Sequence, residues 1–245
     1  EEIFIPSKVT NINENAFNYC TNLTKVEIAP YSNLQTIGSN AFSNCYKLAK
    51  VEIPQDSNLQ TIESFAFSGV QIEEIYLPAS LKELKEKWCY NMQKLTNIIV
   101  SPLNNKFIFK DNELLLSKSE ENNDEFDILL FANRNINKIS IPSNIKIISS
   151  CAFSYCSKLT KIEIPSDSNL EIIEENSFEL SNIKTIIIPS KVSTIKKCAF
   201  SNCDKLTKVE ISPNSDLQTI ESFAFTHTKI EEIFIPSKVT NINEK

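Results

Sequence analysis

Leu206–Ile211 reads Leu-Thr-Lys-Val-Glu-Ile and runs into Ser212-Pro213. The same pattern, Leu/Ile-x-x-Val/Ile-x-apolar, starts again at Leu23, Leu48, Ile72, Leu95, Ile136, Leu159, Ile183 and Ile230, and Glu1–Ile5 is a truncated copy. The steps between full copies are 25, 24, 23, 41, 23, 24, 23 and 24 residues. A fixed period in the twenties around Leu-x-x-Leu-x-Leu marks a leucine-rich repeat solenoid. Such a chain has no single central core; each turn buries its apolar side against its neighbours.

Each hexapeptide is a short, β-branched strand, and a proline usually closes it, because proline cannot donate to a ladder. The series runs Pro6, Pro30, Pro54, Pro78, Pro102, Pro142, Pro165, Pro189, Pro213 and Pro236. A second apolar pair three residues apart follows the proline, as in Leu34/Ile37, Leu170/Ile173 and Leu217/Ile220. This predicts a second short extended segment. A small residue then precedes an aromatic one: Ala16-Phe17, Ala41-Phe42, Ala66-Phe67, Cys89-Tyr90, Ala152-Phe153, Ser177-Phe178, Ala199-Phe200 and Ala224-Phe225. A helical or 3₁₀ turn is expected there, with the rings stacked in a buried column. Units come in two lengths. Six residues separate aromatic from strand leucine where Cys20, Cys45, Cys156 or Cys203 intervenes; five separate them from Phe67, Tyr90, Phe178 and Phe225. The predicted fold is an α/β solenoid: a β-rich leucine-rich-repeat horseshoe with a parallel concave sheet, short helical or 3₁₀ turns and one β-hairpin insert. Residues 1–245 read as one array.

The array is interrupted between Val100 and Ile136, with the irregular insert at about 101–135. Two apolar runs, Phe107-Ile-Phe and Leu114-Leu-Leu, flank Lys110-Asp111-Asn112-Glu113. Asp and Asn tolerate the left-handed turn conformation, so a hairpin is expected, and Ile128–Phe131 can add a strand. An acidic loop, Glu120, Glu121, Asp124 and Glu125, lies between them. Glycine is nearly absent, with only Gly38 and Gly69, so turns must rely on Asn and Ser.

The unit I-P-x-x-(V/L)-x-x-I-x-x-x-A-F-x-x-C-x-x-L-x-x-(V/I)-x-I resembles the BspA-like leucine-rich repeats, and Cys198–Leu206 is close to their typical core. The insert is similar to that family's hairpin through Leu103-Asn104, Phe107, Asp111-Asn112 and Leu114-Leu115, although Asn112 stands where glycine is usual. The resemblance implies a cell-surface or extracellular protein of a host-associated microbe. It further implies an adhesive ectodomain with a protein ligand, such as a host or extracellular-matrix protein.

Composition narrows the remaining classes. A net charge of −6 leaves no basic footprint for nucleic acid. No apolar run approaches the roughly 18 residues that span a membrane, so no membrane insertion is expected. Glu1-Glu2 is not the basic start of a signal peptide. Glu1–Glu14 and Glu231–Glu244 are the same fourteen residues, so the chain begins and ends in mid-repeat and is expected to be a piece of a longer array. The single histidine, His227, has no ligand-spaced partner, and no phosphate loop or nucleophile elbow occurs. No metal, cofactor or enzymatic activity is expected. Of the seven cysteines, Cys20 and Cys45 stack at a disulfide-compatible spacing, whereas Cys156 and Cys203 are two units apart. Buried thiols are the other reading. Asn22-Leu-Thr24 is a glycosylation sequon.

In a parallel ladder, alternate side chains leave the core and line the concave face. One exposed column reads Lys25, Lys50, Glu74, Asn97, Lys138, Lys161, Thr185, Lys208, Glu232; the other reads Phe4, Glu27, Glu52, Tyr76, Ile99, Ser140, Glu163, Ile187, Glu210, Phe234. Lys beside Glu is a solvated mosaic. Tyr76 and Ile99 are consecutive apolar residues beside the insert and make a candidate binding patch, with Glu74, Asn97 and Ser140 around it. The competing reading is that the insert covers them. The function expected from this face is protein interaction. The rival is an intracellular, cytoplasmic scaffold built from the same repeats.

Overall fold

The structure, a computed structural model, describes every residue except 121, 123, 244 and 245. It divides into two compact units, Glu1–Asn112 and Glu113–Lys245, each a β-solenoid. In the first unit the repeat strands are Glu2–Ile5, Lys25–Ile28, Lys50–Glu52, Glu74–Leu77 and Asn97–Val100. In the second they are Lys138–Ser140, Lys161–Glu163, Thr185–Ile188 and Lys208–Ile211. Each strand alternates inward and outward residues; Val26, Ile75 and Ile186 face in and are at most 1% exposed.

The expected parallel sheet is present in pieces. Glu2–Ile5, Lys25–Ile28 and Lys50–Glu52 form one parallel sheet; Glu74–Leu77 pairs only with Asn97–Val100, Lys138–Ser140 with Lys161–Glu163, and Thr185–Ile188 with Lys208–Ile211. The breaks follow unit length. Where six residues separate the column residue from the strand leucine, as in Phe17 to Leu23 or Phe200 to Leu206, the two strands ladder. Where five do, as in Phe67 to Ile72, Phe178 to Ile183 and Phe225 to Ile230, they do not. The missing residue removes about 3.3 Å of path. The incoming strand therefore fails to lie opposite its predecessor.

The second extended segment is present throughout. Asn11–Ile12, Thr36–Ile37, Thr61–Ile62 and Glu83–Leu84 form a parallel sheet in the first unit. Ile147–Ile148, Ile172–Ile173, Thr194–Ile195, Thr219–Ile220 and Asn241–Ile242 do so in the second. The turn before it depends on serine, as anticipated: Ser32, Ser57, Ser168 and Ser215 are buried, and each hydroxyl accepts the backbone N–H two residues on.

The helical or 3₁₀ turns are a correction. Among the described residues there is no helix. The segment around each column residue instead carries two left-handed residues four apart: Asn15 and Tyr19, Asn40 and Asn44, Phe65 and Gly69, Lys87 and Asn91, Cys151 and Tyr155, Asn176 and Leu180, Cys198 and Asn202, Phe223 and His227. Hydrogen bonding explains this. Ala16, Asn18 and Cys20 donate back to the carbonyls of Asn13, Asn15 and Phe17, while Asn15, Phe17 and Tyr19 donate forward to Ser39, Ala41 and Ser43 of the next repeat. Alternate N–H groups thus close tight turns and tie neighbouring repeats together. A helix would consume them all internally. Each left-handed non-glycine residue costs roughly 1–2 kcal/mol, which the ladder offsets.

The aromatic column is interior, with Phe17 and Phe225 half-buried at its ends. Phe17, Phe42 and Phe67 stack at 5.3 and 5.7 Å; Phe153, Phe178, Phe200 and Phe225 stack at 4.9, 4.9 and 5.2 Å. Cys89-Tyr90, however, is not the small-plus-aromatic pair of its unit. The N–H of Phe67 donates to Trp88, where that of Phe42 donates to Ala66, so Trp88 holds the alanine place and Cys89 the aromatic one. Large and small have exchanged positions in adjacent layers. Tyr90 turns outward, edge-on to Phe65 at 5.9 Å. This unit is therefore of the six-residue kind, Cys89 to Leu95, which agrees with its intact ladder.

In the insert, Asn104 ties the start to the preceding turn: its amide donates to the carbonyls of Pro78 and Leu81, and its Oδ1 accepts from Lys106 and Phe107. Asp111 and Asn112 take positive φ values, 54° and 56°, in the turn between strands Phe107–Lys110 and Leu114–Ser117. Leu114–Ser117 pairs antiparallel with Ile128–Ala132, which in turn pairs parallel with Ile147–Ile148. Asp127, buried between them, accepts from the N–H and hydroxyl of Ser119, each at 2.8 Å, and meets Lys146 at 3.1 Å. Burial pushes its carboxyl up, but these partners outweigh burial and hold it below the usual range. Glu121 of the acidic loop lies outside the described residues.

No disulfide joins Cys20 to Cys45. The Cys45 thiol instead donates to the carbonyl of Phe17 at 3.0 Å, and Cys203 repeats this with Phe178 at 3.0 Å. Burial pushes both thiols up to about 11. Thiol-reagent titration should therefore find Cys45, Cys156 and Cys203 slow in the native protein, and the full seven cysteines of the sequence after denaturation. Finding only one or two reactive thiols in the unfolded chain would show that oxidation has joined the others.

Candidate functional site

The outward side chains of the repeat strands divide into ion-paired and apolar stretches. In the first unit Lys25 sits between Glu52 at 2.7 Å and Glu27 at 2.9 Å, and Lys50 meets Glu52 at 2.5 Å. Hydrogen bonds from Lys25 and then Lys50 hold the Glu52 carboxyl down to about 2. In the second unit Lys161–Glu163 and Lys208–Glu210 pair at 2.5 and 2.6 Å. These charges are largely satisfied by one another and remain in water, where such pairs contribute little.

The candidate patch lies in the pair Glu74–Leu77 and Asn97–Val100. Register places Tyr76 directly beside Ile99 and Glu74 beside Asn97. The Asn97 amide donates to Glu74 Oε2 at 2.5 Å. Ile99 is 42% exposed and Tyr76 half-buried, so both are open to solvent. Leu103, at 82% exposure, and Ile108, at 41%, add apolar surface from the insert within the same unit. The sequence carried the alternation that marks Ile108, but Leu103 stood only as a match to a hairpin motif. Ser140 belongs to the second unit, where it lines a shallow cleft with Glu113, Lys138, Ile139, Lys161 and Glu163.

A further residue went unnoticed in the sequence. Arg134, the chain's single arginine, is 3% exposed. Its guanidinium donates to the carbonyls of Ala132, Ala152 and Cys151 at 3.3, 2.9 and 3.3 Å, and stands 4.4 Å from the Phe131 ring. The signal was available: a lone arginine in the one unit whose sequence has no small-plus-aromatic pair.

The repeat itself decides the relationship. The model of the BspA type leucine rich repeat region matches residues 1–113 and 125–245 in six copies. The chain belongs to the BspA-type leucine-rich repeat family. No curated protein matches it. Among solved structures, this BspA-type array is similar to a leucine-rich cell surface protein of Faecalibacterium prausnitzii. That likeness has 20% identity, a TM-score of 0.59, and coverage of 99% of this chain and 78% of that one. It is also similar to the pneumococcal vaccine antigen PcpA, at 22% identity and a TM-score of 0.65, over 99% of this chain and 73% of that one. A leucine-rich repeat protein from Eubacterium ventriosum matches at 20% identity and a TM-score of 0.51, covering 95% and 84%. At such identities these likenesses establish the fold.

Proposed function

We propose that this BspA-type array is a non-enzymatic protein-interaction module displayed at a cell surface, where it works as an adhesive ectodomain. Its protein ligand docks on the repeat-strand face of the first unit, at Tyr76 and Ile99 with Glu74 and Asn97 as polar rim. The observation that supports this is the juxtaposition of Tyr76 with Ile99, open and uncharged on adjacent strands, where Lys25–Ile28, Lys50–Glu52, Lys161–Glu163 and Lys208–Ile211 carry ion pairs. An aromatic anchor with a polar rim is the usual composition of a binding hot spot. The Ser140 cleft of the second unit is a separate, weaker candidate contact. Cell-surface display is supported by the leucine-rich cell surface protein to which the fold is similar.

The test is binding to immobilised extracellular-matrix proteins, collagen, laminin and fibronectin, before and after Tyr76→Ala with Ile99→Ser. The double substitution should weaken binding by about 2 kcal/mol or more with little loss of stability. An unfolded double variant would make the patch structural. A folded one that binds normally would place the site elsewhere.

A further inference from the structure

The turn segments of the first unit, which precede the strands of Tyr76 and Ile99 in each repeat, carry a second feature. Two residues past each column position stand Tyr19, Asn44, Gly69 and Asn91, one per repeat, all left-handed. The N–H groups of Tyr19, Asn44 and Gly69 donate to Ser43, Ser68 and Tyr90 of the next turn. The row is therefore rigid, at the spacing of a parallel ladder, and those backbone donors are already used.

Gly69 leaves a notch in the row. A side chain beginning there would meet Cε1 of Tyr46 at 3.6 Å, Oδ1 of Asn44 at 3.7 Å and Nδ2 of Asn91 at 3.7 Å. An aromatic wall, an acceptor and a donor thus converge on one point. Each is held. The Tyr46 hydroxyl donates to Asn44 Oδ1 at 3.0 Å, and Gln93 donates to Asn91 Oδ1 at 2.8 Å, which turns the Asn91 amide nitrogen toward the glycine. Tyr19 stands edge-on to Tyr46 at 6.5 Å and extends the aromatic surface; the two rings are 62% and 49% exposed. The neighbouring ammonium, Lys47, is drawn off to Asn22 at 2.9 Å. The groups that meet at the notch carry no charge, in a chain where 23% of residues do.

We propose that this notch binds a neutral oligosaccharide. Exposed tyrosine rings offer flat apolar faces for the C–H side of a pyranose. Fixed amides supply the paired acceptor and donor that vicinal hydroxyls require, and their fixing lowers the ordering cost of binding. The absence of charge at the notch selects against acidic sugars.

The whole chain is applied to an array of neutral and sialylated oligosaccharides, and the tightest neutral one is titrated by calorimetry. Neutral glycans are retained, and Tyr46→Ala lowers affinity about tenfold or more, equivalent to about 1.4 kcal/mol. Asn91→Asp, which keeps shape and tolerates the left-handed backbone but replaces the donor by a carboxylate, does the same. Tyr76→Ala with Ile99→Ser leaves glycan binding unchanged, which separates this site from the protein-binding face. Circular dichroism establishes that each variant is folded; should Tyr46→Ala not fold, Asn91→Asp decides. Retention of no neutral glycan, retention of sialylated ones only, or affinity unchanged in folded variants overturns the proposal.

Discussion

Phe178→Ala should lower the stability of the second unit by about 3–5 kcal/mol, the range for truncating a buried aromatic. The ring is fully buried and lies between Phe153 and Phe200, each 4.9 Å away and within 6° of parallel. Truncation opens a cavity that neighbours cannot fill, because the turn ladder fixes their backbones on both sides. It also removes two stacking contacts, each contributing about 0.5–1.5 kcal/mol beyond area. Repeats couple only to their neighbours, so the loss divides the array as well as weakening it. Urea unfolding should shift to lower midpoint and broaden. Phe178→Leu should recover more than half of the loss by restoring volume. A loss below about 1 kcal/mol for the alanine variant would show that the column does not hold the unit together.

Arg134→Ala should cost about 2–4 kcal/mol, since three buried carbonyls and a cation–ring contact lose their donor together. The position explains the requirement. In regular units the column phenylalanine donates its N–H to the next unit, and its carbonyl accepts the cysteine thiol, as in Cys45 to Phe17. Before Phe153 there is no such phenylalanine. Ala132 takes its backbone place, donating to Ala152, and leaves the side-chain space empty. Arg134 folds into the gap, caps the carbonyls and reaches Cys156 Sγ at 3.5 Å. A buried charge is costly without partners, and among the described residues no carboxylate lies within ion-pair distance of it. Its carbonyl contacts and the Phe131 ring must therefore compensate. Arg134→Lys should recover little, because a point ammonium cannot span acceptors that a planar fork can. Equal stability of Arg134→Met and the parent chain, by urea melts, would show that the residue merely fills space.

Both predictions concern places where the sequence was only half legible. Periodicity alone determined the solenoid, the repeat strands, the prolines that end them and the phenylalanine column, because these follow from which residues must face a neighbour at a fixed period. It placed Tyr76 beside Ile99 by counting alone. It also contained the two unit lengths, and with them the breaks in the sheet, although Trp88-Cys89-Tyr90 concealed one unit's length: composition does not say which of two adjacent residues faces inward.

Only the tertiary structure decided the rest. The stacked left-handed turns were only partly legible: six of their sixteen left-handed positions are Asn and one is Gly69, but the others fall on Tyr, Phe, Lys, Cys, Leu and His. At Tyr19, Cys151, Tyr155, Leu180 and Cys198 the next repeat supplies the acceptor for the N–H group, which offsets the cost of a positive φ. The convergence of Tyr46, Asn44 and Asn91 over Gly69 joins three repeats and has no local signature. The repeated fourteen residues make the same point. Glu2–Ile5 is a strand because Lys25–Ile28 lies in register beside it; the identical Glu232–Ile235 is not, following a five-residue unit that leaves it out of line with Lys208–Ile211. Ile12 is 4% exposed and its counterpart Ile242 is 62% exposed. One sequence takes two conformations because a strand is completed by hydrogen bonds that its neighbour provides.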